Sequence, residues 1–282
     1  MKLYRLRNNI ILDHDGKHYL FEHPWDALID RDDLFQYLAG LAGKSQVIPE
    51  EQATELISTE LLPPIGSQEV WAAGVTYLRS REARMEESAG SGAADLYDRV
   101  YAAERPELFF KSMPHRVAGH RQQVYIRRDS IWNVPEPELT LFINSNGNIQ
   151  GYTVGNDMSS RSIEGENALY LPQAKIFERS AAMGPCIYVP ELPMPADSKI
   201  KMNIQRDGRK VYEDETSISR MKRSLTELAG YLFRECDFHH GCFLMTGTCL
   251  VPPNDFTLQP DDIVSIEIDH IGLLVNTVNY KP

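Results

Sequence analysis

Cysteine is scarce in this chain. The four present, Cys186, Cys236, Cys242 and Cys249, show no Cys-x-x-Cys spacing and no framework pattern, which argues against a disulfide-stapled domain. Reduced thiols in a cytoplasmic protein are the expected state. Cys236 and Cys242 with His239 and His240 suggest zinc, but no second ligand pair follows at usable spacing. Positive charge is short as well: 29 Lys and Arg against 40 Asp and Glu give a net charge of -11. That balance argues against nucleic acid or an anionic membrane as partner. No apolar run is long enough to span a bilayer. The first eight residues, Met1 to Asn8, are basic but lack the apolar stretch of a secretory signal.

What is present is an ordinary globular composition in a chain long enough for one large domain with a small appendage. The expected fold class is α+β, mostly β, with a small N-terminal α+β domain at 1–65 and a catalytic domain at 66–282. Tyr4–Leu12 and Lys17–Phe21 read as a hairpin turned at Asp13-His14-Asp15-Gly16. Helical patterns follow at Arg31–Ala42 and Pro49–Ile57, and Leu62-Pro63-Pro64 with Gly66-Ser67 marks a boundary. Beyond Val70, short apolar strands dominate. One helix interrupts them, opened by the capping-box signature Ser224-Leu225-Thr226-Glu227. Gly90-Ser91-Gly92-Ala93-Ala94 is the one flexible stretch and suits a loop near a site entrance better than a dinucleotide fingerprint.

The most telling segment is Glu136-Pro137-Glu138-Leu139-Thr140-Leu141-Phe142-Ile143, which alternates polar and apolar residues as a half-buried strand does. Asn146-Gly147 supplies a two-residue hairpin signal, and the return strand starts near Gly151. With that turn, Ser145 faces Asn148 and each facing pair sums to the same index, so Asp157 falls opposite Glu136. Glu138 lies two residues along on the same face. Three carboxylates this close repel one another unless a cation sits between them. Their hard oxygens suit magnesium, manganese or calcium rather than zinc. Taken alone, Glu-x-Glu reads more readily as the solvated face of an edge strand, where Pro137 would be at home, and only the facing Asp157 raises the metal reading.

Further segments carry a resemblance. Pro135-Glu136-Pro137-Glu138-Leu139 is followed by Gly151-Tyr152-Thr153-Val154-Gly155-Asn156-Asp157-Met158-Ser159-Ser160-Arg161 and by Lys175-Ile176-Phe177. Gly184-Pro185, Arg206-Asp207-Gly208, Thr246-Gly247-Thr248, Asp261-Asp262-Ile263-Val264 and Ile271-Gly272 then occur in order. In these the chain resembles the fumarylacetoacetate hydrolase superfamily over most of residues 70–278. The resemblance implies a bent β-sheet roll, a homodimer or dimer of dimers, and Mg²⁺ or Mn²⁺ held by Glu136, Glu138 and Asp157. It also implies a substrate bearing an α-keto acid or β-diketone.

Hydrolases and decarboxylases of the family commonly read Asn-Tyr-x-x-His where this chain has Thr76-Tyr77-Leu78-Arg79-Ser80. Without that His, water activation for C–C hydrolysis lacks its base. Gly74-Val75-Thr76-Tyr77, Tyr97-Asp98-Arg99 and Arg105-Pro106-Glu107-Leu108-Phe109-Phe110-Lys111 instead look like the family's dehydratase branch. That branch converts 2-keto-3-deoxypentonates, derived from arabinonate or xylonate, to 2,5-dioxopentanoate. A small anionic sugar acid fits Arg79, Arg81 and Arg84. On this reading Lys175 is the cation beside the enolate oxygen and Glu107 the proton carrier, with Ser80, Arg79, Arg81, Thr246 and Thr248 as substrate contacts. The alternative is a C–C hydrolase or decarboxylase of an acylpyruvate or β-keto acid, in which His115 or His120 replaces the missing base. A third possibility is a metal- or ligand-binding relative without a competent acid–base pair.

Overall fold

A computed structural model describes residues 1–79, 85 and 99–282. Ser80, Arg81, Arg84, Tyr97, Asp98 and the stretch Gly90–Ala94 lie outside the described residues. The chain opens with β1 (Lys2–Arg5), β2 (Ile10–His14) and β3 (Lys17–Phe21). The segment expected as one strand from Tyr4 to Leu12 is split, because Leu6 N–H donates to Asn9 O and reverses the chain at exposed Arg7 and Asn8. Asp15-Gly16 forms the next turn, both residues at positive φ, with His14 opposite Lys17.

The helix expected over Arg31–Ala42 starts later, as α2 (Leu34–Ala42), and an unexpected short helix, α1 (Trp25–Ile29), precedes it. The interruption is Asp30-Arg31-Asp32-Asp33, whose carboxylates serve another element. Asp30 accepts from Ser145 N–H at 2.7 Å, and Asp32 accepts from the side-chain amides of Asn144, Asn146 and Asn148. Strand β4 (Gln46–Ile48) and helix α3 (Glu50–Glu60) complete this unit, with Pro49 at the helix N-cap.

Next come β5 (Glu69–Gly74), β6 (Glu107–Ser112), β7 (Val117–Ala118), β8 (Gln123–Ile126) and β9 (Asn133–Val134). The central hairpin is β10 (Pro137–Ile143) and β11 (Ile149–Asp157), trailed by β12 (Ser159–Ser160), α4 (Arg161–Glu166), α5 (Leu171–Lys175) and β13 (Ala181–Tyr188). A second hairpin, β14 (Lys199–Arg206) and β15 (Arg209–Ser217), leads to α6 (Leu225–Leu232). There Ser224 Oγ accepts from Glu227 N–H, as the capping signature required. Strands β16 (Cys242–Met245), β17 (Ile263–Ile268) and β18 (Gly272–Tyr280) finish the chain.

Among the described residues the large sheet has the order β4-β3-β2-β1-β13-β11-β10-β16-β5-β6, with β7 beside β13. The N-terminal strands therefore extend the main sheet through Lys2 opposite Tyr188 and Leu3 opposite Ile187. A five-stranded sheet, β15-β14-β17-β18-β8, packs on one face of it. Strands β14, β17 and β18 alternate buried and open positions, as a sheet with one wet face must. Strand β10 does not: every residue is buried. Leu139, Leu141 and Ile143 join the core between the sheets, while Phe142 packs with Leu28, Leu34 and Phe243 on the opposite side. The edge-strand reading of Glu-x-Glu fails here, since β10 is bonded on both sides by β11 and β16.

Candidate metal centre and active site

Two departures from the expected hairpin cancel. The loop holds three residues, Ser145, Asn146 and Gly147, with Gly147 at φ 81° and Asn144 N–H donating to Asn148 O. Ile143 then pairs with Ile149, one step short of the expected register. A bulge between Phe142 and Ile143 inserts Gln150 and restores it, so Phe142 pairs with Gly151 and Pro137 with Asn156. Asp157 N–H accordingly donates to Glu136 O at 2.9 Å.

Glu136, Glu138 and Asp157 each offer a carboxylate oxygen within 4.8 Å of the other two, and the residues are 4%, 2% and 1% exposed. Three buried cations face them. Lys175 Nζ donates to Glu136 Oε2 at 2.6 Å, Asp157 Oδ2 at 3.2 Å and Ser159 Oγ at 2.6 Å. Arg161 Nη2 donates to Glu136 Oε1 at 2.9 Å. Lys111 Nζ donates to Met158 O and Lys175 O and lies 2.5 Å from Asp157 Oδ1. That last contact is an ion pair out of hydrogen-bond alignment, so Asp157 Oδ1 has no hydrogen-bond partner among the described residues. Glu138 has no such cation in contact; its Oε2 accepts from Gly247 N–H at 2.6 Å.

These surroundings pull the titrations apart. Burial, then repulsion from Asp157 and Glu136, pushes the Glu138 carboxyl well above its usual range. Burial alone would also raise Asp157, but the ammonium groups of Lys111 and Lys175 hold it below. Burial pushes the Lys111 ammonium down, against the pull of Asp157. Between the carboxylates lies a cavity of about 10 Å³, the space of one ion or one water, walled also by Lys175, Arg161 and Thr248. An all-oxygen donor set, three buried carboxylates whose oxygens converge, and room for one small body fit a hard dication. A far larger cavity, about 670 Å³, lies between α2, the β10–β11 loop and α6, and among the described residues no metal-holding cluster lines it.

The family description "Fumarylacetoacetate (FAA) hydrolase C-terminal" matches residues 78–279. The chain belongs to this family. A probable 2-keto-3-deoxyxylonate dehydratase of Haloferax volcanii is 48% identical over 216 residues, covering 76% of this chain and 73% of that protein. A 2-dehydro-3-deoxy-D-arabinonate dehydratase of Saccharolobus solfataricus is 36% identical across 100% of this chain and 97% of its own. Among solved structures, a 2-keto-3-deoxy-D-arabinonate dehydratase complexed with magnesium and 2,5-dioxopentanoate superposes with a TM-score of 0.87. It is 32% identical and covers 100% of this chain and 99% of that one.

In this family member, five sequence-derived residues gather at or beside the cavity. Glu136, Glu138, Asp157, Lys175 and Thr248 all line it. Glu107 is the partner of Gly74 across β5 and β6, and its carboxylate lies against that glycine. Thr246 sits deeper, its hydroxyl donating to Leu139 O at 2.8 Å and so facing β10. Arg79 is half-buried and absent from the cavity wall. Ser80 and Arg81 lie outside the described residues. Cys236, Cys242, His239 and His240 form no metal-holding group.

Lys111, Arg161 and Ser159 received no role from sequence reasoning. A signal existed for Lys111, which follows Glu107 and Phe109 at every second position of β6. Arg161 stands four residues after Asp157, inside a quoted motif, with nothing to reveal its burial.

Proposed function

We propose that this chain is a divalent-metal-dependent dehydratase that removes water from a 2-keto-3-deoxypentonate to give 2,5-dioxopentanoate. The observation that carries the reading is the buried Glu136–Glu138–Asp157 cluster around a one-ion cavity, with Lys175 in contact with two of the three. The likeness to dehydratases over the whole chain supports the reaction, and the solved magnesium complex supports Mg²⁺ as cofactor, while the all-oxygen donor set would also take Mn²⁺ or Ca²⁺. Glu136, Glu138 and Asp157 would hold the ion. Bound there, it supplies Lewis-acid polarisation of an α-keto acid's carbonyl.

The chain's own residues do the rest. Lys175, fixed by three acceptors, keeps positive charge where negative charge gathers on the keto oxygen as C3 loses its proton. Glu107 takes that proton and delivers it to the C4 hydroxyl, so C3–H and C4–O break, water leaves and a C3=C4 double bond remains. Loss of one C5 proton and of the C5 hydroxyl proton, matched by one proton arriving at C3 and one at C4, then turns the terminal alcohol into the aldehyde. The C5 oxidation is balanced by reduction at C4, and no outside oxidant enters. Thr248 on the wall is a substrate contact, and Arg79 draws in the anionic sugar acid. The same reading includes a cytoplasmic location, which the four free thiols support, and a homodimer or dimer of dimers, as the family resemblance implies.

Incubating purified protein and Mg²⁺ with 2-keto-3-deoxy-xylonate or 2-keto-3-deoxy-arabinonate tests the proposal. Appearance of 2,5-dioxopentanoate, abolished by EDTA and restored by Mg²⁺, is the expected result. Pyruvate or CO₂ release without a dialdehyde-type product would indicate the C–C hydrolase or decarboxylase reaction instead.

A further inference from the structure

We infer that Gly74 is a positioning residue whose missing side chain is the seat of the Glu107 carboxylate. The inference rests on the dehydratase reading for the role of Glu107, but its geometry stands apart. Gly74 ends β5 and lies opposite Glu107 on β6. Facing residues on an antiparallel pair put their β-carbons close together on the same side of the sheet. A β-carbon built on Gly74 would lie 2.0 Å from Glu107 Oε2 and 2.5 Å from its Cδ. The carboxylate is therefore folded flat onto the Gly74 main chain, in space that any other residue would fill. Gly74 is itself part of the cavity wall, so the seat brings the acid to the rim of the metal centre. Glu107 Oε2 is buried there with no hydrogen-bond partner among the described residues, a costly state that a substrate hydroxyl would relieve.

The backbone that follows Gly74 is pinned. Val75, the next residue, stands at φ 52°, a strained value for a β-branched side chain. Thr76 Oγ1 donates to Thr246 O at 2.7 Å, and Thr76 O accepts from Lys222 N–H at 2.9 Å. The turn after β5 cannot drift away from the turn after β16, so the floor under Glu107 keeps its distance from the carboxylate cluster. Gly74 is not at positive φ. Alanine can adopt its conformation, and the three atoms nearest its β-carbon all belong to the flexible side chain of Glu107. Gly74→Ala therefore folds and moves the Glu107 carboxylate while leaving the metal cluster alone.

The test is a double-mutant cycle on the full-length, Mg²⁺-loaded protein with Gly74→Ala, Glu107→Gln and both together. Turnover in Gly74→Ala should fall by roughly 10- to 100-fold, within the range of a displaced acid–base group. Its Mn²⁺ affinity and melting temperature should stay at wild-type values. The double variant should be no slower than Glu107→Gln alone, because both changes remove one function. Wild-type turnover in Gly74→Ala, or losses that multiply in the double variant, would overturn the inference. If wild-type protein dehydrates no 2-keto-3-deoxypentonate, the functional reading has failed and the seat is tested by ¹³C NMR titration of Glu107. A midpoint that moves in Gly74→Ala supports the seat, and identical midpoints refute it.

Discussion

Residues that carry charge into a dry interior do so here in matched sets. Lys111, Lys175 and Arg161 stand against Glu136, Glu138 and Asp157, all nearly inaccessible to solvent. Each charge would be costly alone, and each has a partner or a candidate for one. Lys111 illustrates the consequence. Its ammonium joins the end of β11, through Asp157 and Met158 O, to the end of α5 at Lys175 O. Lys111→Met should lower the unfolding free energy of metal-free protein by about 3–5 kcal/mol, read by urea denaturation, since it takes from buried Asp157 the nearer of its two ammonium partners. Lys175→Ala should cut turnover by a large factor while Mn²⁺ still binds; full activity in that variant would remove Lys175 from the chemistry. The carboxylates were legible because Glu-x-Glu plus a facing Asp is a pattern of spacing. The cations were not, because a lysine on a strand looks the same in sequence whether its end reaches solvent or a buried acid.

At the scale of elements, register matters more than turn type. The Asn146-Gly147 signal located the hairpin correctly and misjudged its loop by one residue. Asn144 and Asn148 close a three-residue loop, and their side-chain amides with that of Asn146 bind Asp32, a contact 112 residues distant from Asn144 that no local rule could anticipate. The Gln150 bulge absorbed the difference before the strands reached the carboxylates. Local chemistry likewise gave the Ser224 cap and the Asp15-Gly16 turn, whereas the break at Asp30–Asp33 follows from tertiary demand on those carboxylates. The turn after β16 offers a direct test. Gly247 stands at φ 94°, and a β-carbon there would lie 2.0 Å from Thr76 Oγ1 and 3.0 Å from Ala73 O. Gly247→Ala should therefore cost at least about 1–3 kcal/mol of stability through strain alone. It should also weaken metal binding, because Gly247 N–H fixes Glu138. Calorimetry and Mn²⁺ titration on the same variant check both effects.

Across the whole molecule, the sheet sandwich explains why a site this small can be this dry. The five-stranded sheet covers one face of the large sheet, and the N-terminal helices cover part of the other beside the site. That N-terminal helices pack on the catalytic sheet, and that β1 pairs with β13, lies beyond what the Pro- and Gly-marked boundary near residue 65 could convey. A cation that binds only the folded state must raise apparent stability by mass action. Free Mg²⁺ at about 100 times its Kd should add about 2.7 kcal/mol, and EDTA should remove it. The most direct measurement is an Mn²⁺ titration of metal-stripped protein followed by electron paramagnetic resonance. One ion should bind per wild-type chain, and Glu138→Gln and Asp157→Asn, though folded, should bind it at least about tenfold more weakly. Wild-type affinity in both variants, or no stoichiometric binding by wild-type protein, would contradict the account.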